Sequence, residues 1–214
     1  MLRFSPLLVG LVVLVGCGES KPTKSTRRID YGETDLVGLA AQFQEEIASN
    51  RKLDPDAFPA GFIDSKGNAV DLGKFKGKSN VVLTVVKGLP QYPGGLYCPG
   101  CLAQMNSYAA NVDGFKSRQA EVLVVFPGPS ESLGDFLSQA KATPPEGKPG
   151  VPLLLDKDMA ACKRLDIVGD WAKPSTYVLD KKGNVVYAYV GAGTTDRPSL
   201  KALFAELDKA NGKK

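Results

Sequence analysis

The stretch Val81-Val82-Leu83-Thr84-Val85-Val86-Lys87-Gly88, followed after a Gly/Pro-rich segment by Cys98-Pro99-Gly100-Cys101-Leu102, decides how the rest of this chain is understood. A continuous run of aliphatic and β-branched residues suits a central strand covered on both faces. The dithiol then opens a segment in which Leu102, Met105, Ala109, Val112 and Phe115 recur at helical spacing. Two cysteines one turn apart at a helix start have a definite chemical use. The first loses its proton to solvent because the positive end of the helix dipole stabilises its thiolate, and the second turns inward to attack a mixed disulfide. The expected chemistry is therefore thiol–disulfide exchange, with Cys98 as exposed nucleophile and Cys101 as resolving thiol. Pro99 fixes its own φ and lacks an N–H donor, while Gly100 keeps the turn open.

A zinc knuckle or a buried structural bridge is the alternative use of such a pair. Zinc takes about four ligands, the chain has no histidine, and Cys162 is the third available thiol. Neither a metal nor a cofactor is expected. The missing imidazole also removes Ser-His and Cys-His nucleophile pairs. Cys162, within Met159-Ala160-Ala161-Cys162-Lys163-Arg164-Leu165, reads as a small buried hydrophobe or as a third redox thiol.

Outward from the dithiol, strand and helix patterns alternate. Phe62-Ile63 and Ala69-Val70-Asp71-Leu72 flank a turn at Asp64-Ser65-Lys66-Gly67-Asn68. After the cysteines come a strand at Val122–Phe126, a helix at Leu133–Ala140, a strand at Val151–Leu155 and a short helix at Met159–Leu165. A strand pair, Thr176–Leu179 and Val185–Val190, and a helix at Leu200–Leu207 close the chain. This order predicts an α/β fold with a central mixed sheet, parallel in its core and antiparallel at an edge, flanked by helices. Leu36, Leu39, Ala40, Phe43 and Ile47 predict one further helix, Glu33–Asn50, ahead of the Pro55–Pro59 break.

The 214 residues, 43% of them hydrophobic, suffice for one domain with its own core. A net charge of +4, spread along the chain, gives no footprint for nucleic acid, and none is expected as a partner. Residues 1–16 carry Arg3, an apolar run from Leu7 to Val15, and then Leu14-Val15-Gly16-Cys17. That is the layout of a bacterial secretory signal with a lipoprotein cleavage site, Cys17 being the lipidated residue. The run is shorter than the roughly 20 residues a spanning helix takes. A flexible tether (17–32), an N-terminal helical segment (33–57) and the main domain (58–214) follow. The expected location is the bacterial cell envelope, lipid-anchored on the extracytoplasmic side of a membrane.

Several of these segments together resemble the thioredoxin fold, and within it redoxins of the alkyl hydroperoxide reductase/thiol-specific antioxidant (peroxiredoxin-like) family. Phe62-Ile63-Asp64-Ser65-Lys66-Gly67-Asn68 through Leu72, Phe75, Gly77 and Lys78 is similar to that family's opening hairpin. Lys87-Gly88 with Cys98-Pro99-Gly100-Cys101-Leu102 resembles its active site, and Lys173-Pro174-Ser175-Thr176-Tyr177-Val178-Leu179-Asp180 its cis-proline segment. The resemblance implies that Pro174 is cis, lies against the dithiol and presents the backbone of Lys173 to a substrate. The Lys173 side chain either lowers the thiolate pKa or is a solvated loop lysine, and Lys87 has the same two possibilities. Trp171 either walls the site or packs at its rim. Gly95 stands where the family usually carries a Thr or Ser that hydrogen-bonds the peroxide.

The dithiol spacing and Gly95 favour a membrane-anchored thiol-disulfide oxidoreductase acting with a protein dithiol or disulfide partner. The family resemblance implies a second function, a thiol peroxidase reducing hydroperoxides. A non-catalytic envelope binding module with a static disulfide is the third.

Overall fold

A computed structural model describes residues 34–53, 58, 61–88, 97–144, 146 and 150–213. The expected signal peptide (1–16), Cys17, the whole expected tether (17–32) and Gly95 lie outside the described residues. Seven strands form one sheet: β1 (Gly61–Asp64), β2 (Ala69–Asp71), β3 (Asn80–Val85), β4 (Ala120–Phe126), β5 (Leu153–Leu155), β6 (Ser175–Leu179) and β7 (Val185–Val190). Their order is β2-β1-β5-β4-β3-β6-β7. β3, β4 and β5 run parallel, whereas β6 and β7 on one side and β1 and β2 on the other are antiparallel. The mixed sheet matches the expected α/β architecture, with antiparallel strands at both edges.

Every residue of β3 is buried, because successive side chains enter opposite cores. Val82 and Val86 pack with Leu102, Met105, Phe136 and Leu203, while Val81, Leu83 and Val85 pack with Phe62, Leu165, Ile167 and Tyr177. The helices are α1 (Leu36–Ala40), α2 (Pro99–Ala110), α3 (Val112–Lys116), α4 (Leu133–Gln139), α5 (Ala160–Arg164) and α6 (Leu200–Ala210). The helical run after the dithiol is split at Asn111, whose φ of −124° breaks α2 from α3.

The segment before the domain departs from the expected helix. Only Leu36–Ala40 is helical, capped by the Asp35 carboxylate accepting from Gly38 N–H at 2.8 Å. Leu36 and Phe43 are buried as their spacing requires. Beyond Phe43 the backbone finds partners across the molecule instead of within a helix. Gln44 N–H donates to Arg197 O (2.8 Å), Ser199 N–H donates to Gln44 O (2.8 Å), and Asn50 N–H donates to Ala188 O (3.1 Å). Residues 44–51 therefore form a strap along β7 and the segment after it.

Candidate active site

Cys98 occupies the N-cap of α2, with Pro99 as the first helical residue. This is the position where a missing N–H costs nothing. The Cys98 carbonyl accepts from Cys101 N–H (2.9 Å) and Leu102 N–H (3.1 Å), so the two thiols are separated by a single closed turn. Both are free. Cys98 is partly exposed, whereas Cys101 is buried and its Sγ accepts from the backbone N–H of Lys87 at 3.2 Å.

The residue that organises the pair is Arg197, only 2% exposed. Its Nη2 lies 3.4 Å from both sulfurs. Nη1 donates to Gln104 Oε1 (2.8 Å) and Nε to Thr194 O (2.9 Å). A buried guanidinium is tolerated when its donors are occupied, and all three of these nitrogens are engaged. Behind it the network continues: Gln104 Nε2 donates to the Tyr108 hydroxyl (2.9 Å), which lies 3.0 Å from Thr84 Oγ1. The loop carrying Arg197 is stapled by Asp196, whose carboxylate accepts from Tyr189 OH (2.5 Å) and Ala192 N–H (2.7 Å).

These contacts divide the two thiols. Cys98 is lowered to about 5, first by the hydrogen bond from Cys101, with the Arg197 charge and the N–H groups of Cys101 and Gly100 adding to it against the cost of burial. Cys101 is pushed well above its ordinary value, first by burial and then by the neighbouring Cys98 sulfur. Near neutral pH the pair is thus a thiolate at Cys98 and a thiol at Cys101. Cys162 is wholly buried, and burial together with Asp156 raises its thiol. Iodoacetamide is expected to label Cys98 with a midpoint near pH 5 and to leave Cys162 untouched until the protein is unfolded. Since the Cys98 pKa is depressed, labelling is full above the midpoint and falls away as pH drops through it. Peptide mapping across pH 4 to 8 reads both outcomes.

Gly100 lies where two segments of the chain pack closely. Its φ is not positive. A Cβ there would instead lie 2.1 Å from Thr194 O and 2.9 Å from Arg197 Nε. Gly100→Ala is expected to push the Arg197 loop away, destabilising the fold by about 1–3 kcal/mol and raising the Cys98 pKa. Chemical denaturation and thiolate absorbance measure the two effects.

Cys98, Arg197, Lys87, Trp171, Lys173 and Pro174 line one cleft of about 720 Å³. The structure thus brings Trp171, Lys173 and Pro174 to the same cleft as Cys98. The Lys173–Pro174 bond is trans, contrary to expectation, as no described peptide bond is cis. Lys173 N–H donates to Ile167 O and Pro174 O accepts from Gly191 N–H, both at 2.8 Å, so extended backbone is held on both sides as it enters β6. Among the described residues no group of three or more His, Cys, Asp or Glu side chains is placed to hold a metal ion.

Residues 48–188 match the AhpC/TSA family, about two thirds of the chain and the whole dithiol region. The chain belongs to the AhpC/TSA family. Within and around it, the chain is 31% identical over 144 residues to a chloroplastic peroxiredoxin Q of Triticum aestivum, covering 64% of this chain and 59% of that protein. It is 33% identical over 135 residues to a chloroplastic peroxiredoxin Q of Sedum lineare, covering 61% and 64%. The match therefore spans about three fifths of the length of these relatives. The fold is also that of the Xanthomonas campestris bacterioferritin comigratory protein, with a TM-score of 0.56 at 20% identity over 77% of this chain and 99% of that one. A mitochondrial 2-Cys peroxiredoxin from Plasmodium falciparum aligns with a TM-score of 0.51 at 17% identity, over 76% and 93%. These likenesses agree with the family and with the thioredoxin-like fold anticipated for it.

Arg197 was not among the residues singled out from sequence. It lies 99 positions from Cys98 in Thr194-Thr195-Asp196-Arg197-Pro198, which reads as a solvated polar turn. No local pattern marks it.

Proposed function

We propose that the protein is a thiol peroxidase that closes the Cys98–Cys101 disulfide in each cycle and is returned to the dithiol by an external thiol or dithiol. The observation that carries this is the Arg197 Nη2 group, 3.4 Å from both sulfurs, on a residue that lines the cleft with Cys98. It stabilises the attacking thiolate and supplies a cation where charge develops on the departing oxygen. That cation offsets the hydroxyl that Gly95 does not bring.

In the first step the Cys98 thiolate attacks one peroxide oxygen of ROOH. An S–O bond forms, the O–O bond breaks, and RO⁻ leaves as ROH with a proton, giving Cys98–SOH. Cys101 then gives up its proton and attacks the Cys98 sulfur. The S–S bond forms, the S–O bond breaks, and water departs. Two electrons have passed from the dithiol to the peroxide. A second thiol-bearing molecule attacks the disulfide and takes over the oxidation.

The same low-pKa thiolate is suited to attack a protein disulfide, so thiol–disulfide exchange is the second reading, favoured by the partial exposure of Cys98. Reduced protein mixed with micromolar hydroperoxide, with and without a sulfenate trap, separates the two. Peroxide consumption and a trapped Cys98 adduct support the peroxidase. A dithiol that stays reduced in hydroperoxide, yet is oxidised as it opens protein disulfides, refutes it.

The anchor is part of the same proposal: lipid on Cys17 holds the domain on the extracytoplasmic side of a bacterial membrane, within reach of peroxides entering the envelope. Cys17→Ser is expected to move the chain from the membrane fraction to the soluble fraction and to remove radiolabelled fatty acid. Membrane retention without label would refute lipidation.

A further inference from the structure

Cys98, Cys101, Gln104 and Tyr108 follow one another along α2 at steps of three, three and four, so they share one face of that helix. The Arg197 guanidinium lies along this face. Its Nη2 is 3.4 Å from both sulfurs, and its Nη1 donates to Gln104 Oε1 at 2.8 Å. Nε bonds Thr194 O, three residues back in Arg197's own segment, and so cannot hold the head group against α2. Apart from the sulfurs themselves, it is Gln104 that fixes the guanidinium relative to the dithiol helix.

The direction of every hydrogen bond behind it follows from Arg197. A guanidinium only donates, so the Gln104 amide presents its oxygen to Arg197 and its nitrogen to the far side. There Nε2 donates to the Tyr108 hydroxyl oxygen at 2.9 Å and to Thr176 Oγ1 at 3.4 Å. Burial raises the Tyr108 pKa, so the hydroxyl keeps its proton and directs it to Thr84 Oγ1 at 3.0 Å. Thr84 donates in turn to Thr176 Oγ1 at 3.5 Å. Thr84 and Thr176 are partners in the β3–β6 ladder, between two strands buried along their whole length. The chain thus runs from the sulfurs into the sheet, and none of Thr84, Gln104, Tyr108 and Thr176 is more than 2% exposed.

Replacing both partners of a buried hydrogen bond by apolar groups of the same shape costs little stability. What such a chain does supply is orientation. We infer that Gln104 and Tyr108 are positioning residues for the dithiol: by accepting from Nε2, Tyr108 keeps the amide oxygen turned towards Arg197 and the guanidinium against both sulfurs. Without that acceptor the amide is free to turn its nitrogen towards Arg197, donor against donor, and the guanidinium moves off the thiolate. This goes beyond the peroxidase proposed above and does not depend on it, since the same thiolate serves a peroxide or a protein disulfide.

The test reads the ionisation of Cys98 in the pre-reduced full chain with no oxidant present, by thiolate absorbance and by the pH profile of alkylation mapped to Cys98. Chemical denaturation gives stability alongside. Tyr108→Phe removes a single oxygen and keeps the ring against Phe115, whose centroid lies 5.5 Å away. It leaves in place the charged and titratable groups around Cys98, namely Cys101, Arg197 and, lining the same cleft, Arg51, Lys87, Asp170 and Lys173. The ionisation constant of Cys98 is expected to fall about fivefold in Tyr108→Phe, the size of one hydrogen bond's net worth, and about tenfold in Gln104→Leu. Both changes move the alkylation limb to higher pH. Because Tyr108 acts through the amide, Tyr108→Phe is expected to add nothing in the Gln104→Leu background. Thr84→Val removes the acceptor of the Tyr108 hydroxyl. It is expected to lower the constant about twofold, and it carries the test if Tyr108→Phe impairs folding.

A Cys98 profile unchanged in Tyr108→Phe, whatever the loss of stability, overturns the inference and makes the chain a packing feature. A shift that recurs undiminished in the Gln104→Leu background also overturns it, since Tyr108 then acts on the sulfurs by another route. Neither outcome bears on whether a hydroperoxide is the oxidant.

Discussion

Cys98→Ser is expected to abolish hydroperoxide turnover, with a fall in kcat/KM of at least about a thousandfold. A serine hydroxyl in place of the Cys98 thiol is neither ionised near neutral pH nor a comparable nucleophile, and the fold loses little because the site is partly open. Cys101→Ser should separate the two halves of the cycle. The Cys98 sulfur still forms a sulfenate in the first turnover, but no thiol lies one turn away to expel water, so the oxidised form accumulates and moves on to the sulfinic acid as peroxide rises. Intact-mass spectrometry after stoichiometric peroxide reads the difference: one added oxygen for Cys101→Ser, loss of two hydrogens for the unaltered chain, no change at these positions for Cys98→Ser. Rapid disulfide-linked cycling by Cys101→Ser would refute the assignment of Cys101 as the resolving thiol.

Arg197→Met has the second large expected effect. It keeps much of the side-chain volume and removes the charge beside both sulfurs. The Cys98 pKa should rise from about 5, each unit of rise representing about 1.4 kcal/mol of lost preference for the thiolate. The loss of a preorganised cation at the departing oxygen adds to this, so kcat/KM should fall by about 10²–10³. Gln104 Oε1 is left buried without its donor, costing about 1–3 kcal/mol of stability. The sign with pH is distinctive. For the unaltered chain the rate is flat above the Cys98 midpoint and falls as pH drops through it, whereas Arg197→Met shifts that limb to higher pH. Arg197→Lys should lie between the two, since an ammonium keeps the charge but cannot span both sulfurs, Gln104 and Thr194 at once. An unchanged pH profile in Arg197→Met would show that Arg197 only packs the core.

The contrast between these two residues shows what sequence makes legible. Cys98 and Cys101 announce themselves because their roles are set locally, by one helical turn beginning at Pro99 and by the apolar β3 run before it. The alternation of strands and helices likewise follows from short-range periodicity, and the central place of β3 from its continuous apolar run. Arg197 acts through topology. It reaches the sulfurs because β6 and β7 add antiparallel to the far side of β3, bringing the segment before α6 against the start of α2. The expected long helix after Glu33 misreads real periodicity, since Leu36 and Phe43 do enter the core. The deciding fact, that Gln44 and Asn50 have backbone partners near β7, is invisible until β7 is placed. The cis bond expected at Pro174 came from the resemblance alone, and the segment is instead held trans between Ile167, six positions before Lys173, and Gly191, across the β6–β7 turn.

The strap has a consequence for how the sheet ends. β7 is an edge strand, and an open edge offers a row of unpaired amides to any neighbouring chain. Here Asn50 imitates a strand residue, its side-chain amide taking both Val190 N–H and Val190 O at 2.9 Å while its own N–H takes Ala188 O. Ser49 Oγ accepts from Ala188 N–H at 3.1 Å. The outward-facing groups of Ala188 and Val190 are thus used up by two polar residues, and strand-by-strand growth of the sheet is blocked there. Trimming the chain back to Phe58 would reopen that row, turning a protected border into a template for aggregation.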